Sequence, residues 1–130
     1  MRKCTPLILI GLILIAVLAH AELQKGLKVT ASICEGIQDR EPVGEGESFP
    51  PETEKLYCHS LVEWVEDSTV ITHIWYYGPK EMARVELPVK SLHWRTWSSK
   101  RILPQWEGWW RVDVLSVEGD TLTSAYFVVK

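Results

Sequence analysis

Cysteine is scarce in this chain. The 130 residues hold three, none in a Cys-x-x-Cys pair or a Cys-x-x-Cys-His run, so thiol redox catalysis and covalent haem attachment have no footing. Nucleophilic catalysis lacks a positioning motif: Ser98, Ser99, His73 and His93 are present, but no Gly-x-Ser-x-Gly elbow accompanies them. His59, His73 and His93 show no His-x-His or His-x3-His spacing, and a metal site would need three strands to converge on them. Glu63, Glu66, Asp67 or Asp113 could supply a carboxylate pair for glycoside cleavage, but among 17 acids some such pair always exists. No window combines helical spacing with caps. The reading is therefore of a non-enzymatic domain, with no catalytic residue, no metal and no cofactor.

Long apolar runs are also missing, with one instructive near-exception. Residues Pro6 to Leu18 form an uncharged stretch of 13 residues behind Arg2 and Lys3. That is short of the ~20 residues a membrane-crossing helix needs. Ala19-His20-Ala21 supplies the small-x-small pattern of signal-peptidase cleavage. Residues 1–21 read as a secretory signal, which makes the protein exported, to the periplasm or beyond, and its membrane contact confined to the signal before cleavage. Cys4 precedes the apolar run, so it is no lipoprotein cysteine and leaves with the signal.

An excess of basic charge is absent too. Removal of Arg2 and Lys3 lowers the basic count from 14 to 12 against 17 acids, so the formal charge moves from −3 to −5 over residues 22–130. An exported chain of that sign is a poor nucleic-acid binder. The charge is uneven: residues 22–67 carry 11 acids and 4 bases, residues 68–130 carry 6 acids and 8 bases. The remaining 109 residues suit a single domain. Cys34 and Cys58 are an even pair in an exported chain, which predicts a disulfide closing a loop of 23 residues and worth about 3 kcal/mol.

What is present is β-sequence and tryptophan. Leu27, Val29, Ala31 and Ile33 alternate with polar residues up to Ile37, as in a strand with one buried face. Residues 38–54, rich in Pro, Gly and acids, are expected as a long acidic surface loop without regular ladder pairing, pinned by Phe49. Strand-like runs follow at 55–65, 70–77, 82–89, 92–103, 109–117 and 122–129, with Glu66-Asp67-Ser68, Gly78-Pro79-Lys80 and Glu118-Gly119-Asp120 as turns. Seven short strands predict an all-β fold, an antiparallel two-sheet β-sandwich of immunoglobulin-like size over residues 22–130. A small closed β-barrel is the alternative.

Six of the seven tryptophans fall between Trp75 and Trp110. Parity buries Trp110, Val112 and Val114 on one strand and Ala83, Val85, Leu87 and Val89 on another, but does not choose a face for His93, Arg95, Trp97 and Ser99 against Trp94, Thr96 and Ser98. Arg95 and Trp97 project from one face, and Trp109 with Arg111 repeats the arrangement. Were those strands neighbours, the two pairs, extended by His73, Trp75 and Tyr77, would form an aromatic-basic patch able to stack on a glycan, clamp an anionic polymer or dock an envelope protein. In the opposing reading the aromatics are core, and the protein is a structural or assembly domain whose edges dock a partner chain. An uncharacterised hydrolase ranks third.

The segments Asp39-Arg40-Glu41-Pro42, Leu56-Tyr57-Cys58, His73-Ile74-Trp75-Tyr76-Tyr77, Trp94-Arg95-Thr96-Trp97-Ser98-Ser99-Lys100, Gly108-Trp109-Trp110-Arg111-Val112-Asp113-Val114 and Phe127-Val128-Val129 together resemble the bacterial domain of unknown function family 2914. The resemblance runs in order along nearly all of residues 22–130. It implies an exported or envelope-associated domain and brings no activity and no catalytic residues.

Overall fold

A computed structural model describes residues 26–130; the expected signal and its cleavage site lie outside them. Nine strands and no helix are found among the described residues: β1 (Lys28–Gln38), β2 (Glu41–Glu45), β3 (Ser48–Phe49), β4 (Lys55–Glu63), β5 (Thr69–Tyr77), β6 (Lys80–Val89), β7 (Trp94–Arg101), β8 (Gly108–Leu115) and β9 (Thr121–Val129). They form a four-stranded sheet in the order β2-β1-β4-β7 and a five-stranded sheet in the order β3-β9-β8-β5-β6. The two sheets are not closed on each other, so the fold is the β-sandwich.

Turn chemistry sets the hairpins. Asp39 and Arg40 both adopt left-handed φ (51° and 67°) between the paired residues Gln38 and Glu41, the two-residue type I′ turn that matches strand twist. Gly78 takes φ 54° before Pro79, whose own φ must be negative; this is the type II′ signature, and it joins Tyr77 to Lys80.

The expected loop at 38–54 is corrected by these pairings. Its first half is strand β2, on the sheet edge where Pro42 is tolerated. Ser48 and Phe49 form β3, which pairs in parallel with Val128 and Val129, and Phe49 is buried.

Two apolar clusters fill the space between the sheets. One gathers Phe49, Leu56, Trp75, Trp110 and Phe127, and the other Val62, Val65, Ile71, Val89 and Val114. Phe127 meets Trp75 edge-on (6.2 Å between centroids, 78°) and Trp110 in a stack (5.8 Å, 15°), contacts worth about 1 kcal/mol each beyond their area. Along β4 the inward residues run Leu56, Cys58, Ser60, Val62, and along β5 Ile71, His73, Trp75. Ser60 and His73 therefore form a polar layer dividing the core.

The ladder explains the cysteines. Cys34 lies opposite Tyr57, and Cys58 opposite Ile33, so the two side chains leave opposite faces of the same sheet. Both are buried and free, which corrects the expected disulfide: near neighbours on adjacent strands cannot be bridged through the sheet. Burial pushes the Cys58 thiol up to about 12, with Cys34 adding to the rise and the Ser60 hydroxyl opposing it. Burial raises the Cys34 thiol as well.

Candidate functional site

The six residues expected to share a binding face are distributed over three places. His73 and Trp75 are wholly buried in the core, Arg95 and Trp97 sit on β7, and Trp109 and Arg111 sit on β8. Strands β7 and β8 belong to different sheets, with residues 102–107 carrying the chain across. Ser98 points inward to the core, so Arg95 and Trp97 point outward from the four-stranded sheet. Trp110, Val112 and Val114 are core, so Trp109 and Arg111 point outward from the five-stranded sheet. The two Trp/Arg pairs thus stand on opposite sides of the sandwich, and the single patch built on neighbouring strands does not form.

His73 is the centre of the buried polar layer. Its Nδ1 lies 2.6 Å from Ser98 Oγ and its Nε2 2.8 Å from Ser60 Oγ, while Trp75 Nε1 donates to Ser98 Oγ at 3.0 Å. One proton assignment uses every donor. Ser98, having accepted from Trp75, donates its hydroxyl proton to His73 Nδ1, and His73 Nε2–H donates to Ser60, whose own hydroxyl faces Cys58. Burial first, then the nearby His59, lower the His73 pKa to about 4, so the ring is neutral at physiological pH. A serine on each imidazole nitrogen resembles a nucleophile and its base in distance alone. The histidine is enclosed, and among the described residues no carboxylate orients it, so the chain of bonds acts as a staple between the sheets.

The outer face of the four-stranded sheet is saturated by its own residues. The β1–β2 turn folds across it: Arg40 O accepts from His59 Nε2 at 2.8 Å, and Arg40 Nη2 donates to Arg95 O at 2.8 Å. The Arg40 guanidinium lies over the rings of Trp94 (5.4 Å) and Trp97 (5.8 Å), and His59 is stacked parallel to Trp97 at 6.4 Å. Arg95 is ion-paired with Glu41. Trp97 is half-buried in this arrangement and offers little free ring.

The outer face of the five-stranded sheet is different. Trp109 is 66 % exposed and Tyr126, diagonally across the β8–β9 ladder, 59 %. Among the described residues neither ring stacks on another aromatic or lies under a cation. Entry into β8 is set by Gly108, whose φ of 122° L side chains rarely adopt, and by the Tyr77 hydroxyl donating to Glu107 O at 2.6 Å. Beside the two rings, Arg111 lies over Tyr76 (4.3 Å) and donates through Nε to Asp113 Oδ1 at 2.9 Å. Ser124 donates to the same oxygen at 2.7 Å.

A groove of about 700 Å3 continues from this face around the edge of β9, where β3 stops after two residues. It is lined by Trp109, Tyr126 and Ser124 on one side and by Ser32, Glu45 and Glu47 on the other.

Tyr76, Ser124 and Tyr126 were not singled out from the sequence, and Asp113 was considered there only as one of four candidate carboxylates for glycoside cleavage. The signal for Tyr126 was there, since it alternates with the apolar Ala125 and Phe127. The others need the β5–β8–β9 register. No group of three or more His, Cys, Asp or Glu able to hold a metal occurs among the described residues.

Residues 68–129 match the family described as Protein of unknown function (DUF2914). The match covers β5 to β9, and so includes every residue of the Trp109–Tyr126 face, whereas the segments at 39–42 and 56–58 lie before it. No curated protein matches the chain.

Proposed function

We propose, from the premise that residues 68–129 belong to this family of unknown function, that the protein is an exported, non-enzymatic accessory domain. It binds a polymer or protein of the cell envelope through the outer face of its five-stranded sheet. The observation that carries the reading is the pair of exposed, unstacked rings of Trp109 and Tyr126 beside Arg111. Large aromatics left in water next to a guanidinium are the usual anchors of a binding surface. Export rests on Arg2-Lys3, the apolar run and Ala19-His20-Ala21.

Binding should perturb Trp109. Titration of the protein with glycans, polyanions and envelope polymers, followed by tryptophan fluorescence, tests this directly. A response that disappears in Trp109→Ala is expected. The reading is abandoned if no titrant produces a response or if Trp109→Ala responds like the parent.

The second reading, a structural domain with core aromatics, is favoured by Trp75 and Trp110 being wholly buried and by Trp97 being held between His59 and Arg40. It has no use for Trp109 and Tyr126 in solvent.

A further inference from the structure

Resting on the binding face just proposed, we infer that its ligand is an uncharged glycan chain, stacked on Trp109 and Tyr126 and hydrogen-bonded by the Arg111–Asp113 pair, rather than an anionic polymer. Three features of the face discriminate between those classes.

First, the guanidinium groups on this face are already paired, Arg111 with Asp113 and Arg84 with Glu81. Arg111 is held by Asp113, and Ser124 fixes the same carboxylate oxygen, so the site presents a paired donor and acceptor with no net charge. A polyanion would have to compete with Asp113 for Arg111 while approaching a half-buried carboxylate. Vicinal hydroxyls suit the pair instead: each can accept from a free guanidinium N–H and donate to the second Asp113 oxygen, and no charge has to be matched.

Second, the groove leading from the platform carries Glu45 and Glu47 and, among the described residues, no Lys or Arg, with Ser32, Ser48 and Ser124 lining it as well. That lining repels anions and offers hydroxyl and carboxylate partners to a polyol.

Third, Trp109 and Tyr126 project from adjacent strands on one face, one ladder step apart, and among the described residues neither has a ring partner. Two adjacent rings give an extended apolar platform for the C–H faces of consecutive sugar units. The paired Arg111 and Asp113 lie beside them, both on β8, to read the hydroxyl edge. The opposite Trp/Arg pair has none of this, because His59 and Arg40 occupy Trp97.

The test is isothermal titration of the full protein with cellohexaose, chitohexaose and maltohexaose, with inorganic polyphosphate and oligogalacturonate as anionic probes, and with an extended β-branched peptide as a strand-adding probe. The expected result is binding of at least one uncharged hexasaccharide, with an affinity unchanged between about 0.05 and 0.5 M salt because no charge is matched. Trp109→Ala and Tyr126→Ala should each weaken it about tenfold, the scale of losing a stacked anchor. Asp113→Asn should weaken it too, and should confer binding of polyphosphate that the parent lacks, because it releases the Arg111 charge. Arg95→Ala, on the far side of the sandwich, should bind like the parent.

Binding of the anionic probes or of the peptide alone, lost in Trp109→Ala, overturns the glycan inference and leaves the binding face standing. No binding by any probe, or binding unaffected by Trp109→Ala and Tyr126→Ala, overturns both.

Discussion

Acidification should weaken the fold through His73, by an amount the structure allows to be worked out. The ring is buried without exposure, and its pKa falls from about 6.5 in the unfolded chain to about 4 in the folded one. Between those values the unfolded chain binds the proton and the folded chain does not. Stability is therefore fully present above pH 6.5 and is lost as the pH falls towards 4. Linkage gives a loss of about 1 kcal/mol at pH 6, about 2 at pH 5, and about 3 once both states are protonated.

The assay is urea denaturation at a series of pH values for the parent and for His73→Gln, whose amide keeps a donor and an acceptor but does not titrate. The rest of the chain is common to both proteins, so the difference between the two stability curves reports the loss of the His73 imidazole. That difference should shrink or reverse by about 2 kcal/mol from pH 7.5 to pH 5. Parallel curves over the interval would refute the buried neutral imidazole and the cross-sheet bonds assigned to it.

Cys34 and Cys58 should both be alkylated in denatured, unreduced protein and recovered as separate peptides. They should be silent to thiol reagents in the native state, since Cys58 titrates only at about 12; a linked Cys34–Cys58 peptide would refute the opposite-face geometry. Trp97→Ala should lower stability by about 2 kcal/mol, because it strips the ring between His59 and Arg40, whereas Trp109→Ala should change it by less than about 0.5 kcal/mol. Urea midpoints of the two variants check this, and equal losses would contradict the assigned faces. The exported protein should have the intact mass of a chain beginning at Glu22; retention of Met1 would contradict the cleavage reading.

How far the fold was legible follows from which residues interact locally. In β8, buried Trp110, Val112 and Val114 alternate with outward residues, and period two alone identified the core face. In β7 the same rule could not choose, because an inward position is Ser98, a polar residue whose place is justified only by His73 and Trp75 on the other sheet. Residues 38–54 read as loop because Pro42 and Gly44 discourage ladders, yet an edge strand tolerates both, and the Asp39–Arg40 turn that returns the chain is two residues long. The disulfide failed for a related reason: cysteine count and compartment say nothing of parity, and only the β1–β4 register puts the two sulfurs on opposite faces.

The candidate site was half legible, and the missing half was topological. Each Trp/Arg pair does share one face of its own strand, but the joint patch was conditional on β7 and β8 being neighbours. Here the chain changes sheet between them. The consequence reaches function. Placed together, two Trp/Arg pairs would have made a cationic surface suited to anions. Placed apart, each pair meets its own carboxylate, Glu41 on one side and Asp113 on the other, so the charges of Arg95 and Arg111 are both paired. What then distinguishes the two sides is ring access. The Asp39–Arg40 turn and His59 close over Trp97, while nothing among the described residues closes over Trp109 and Tyr126. An apolar platform beside a neutral donor–acceptor pair is left on one face only, and that is why the ligand is sought among polyols and on the five-stranded sheet.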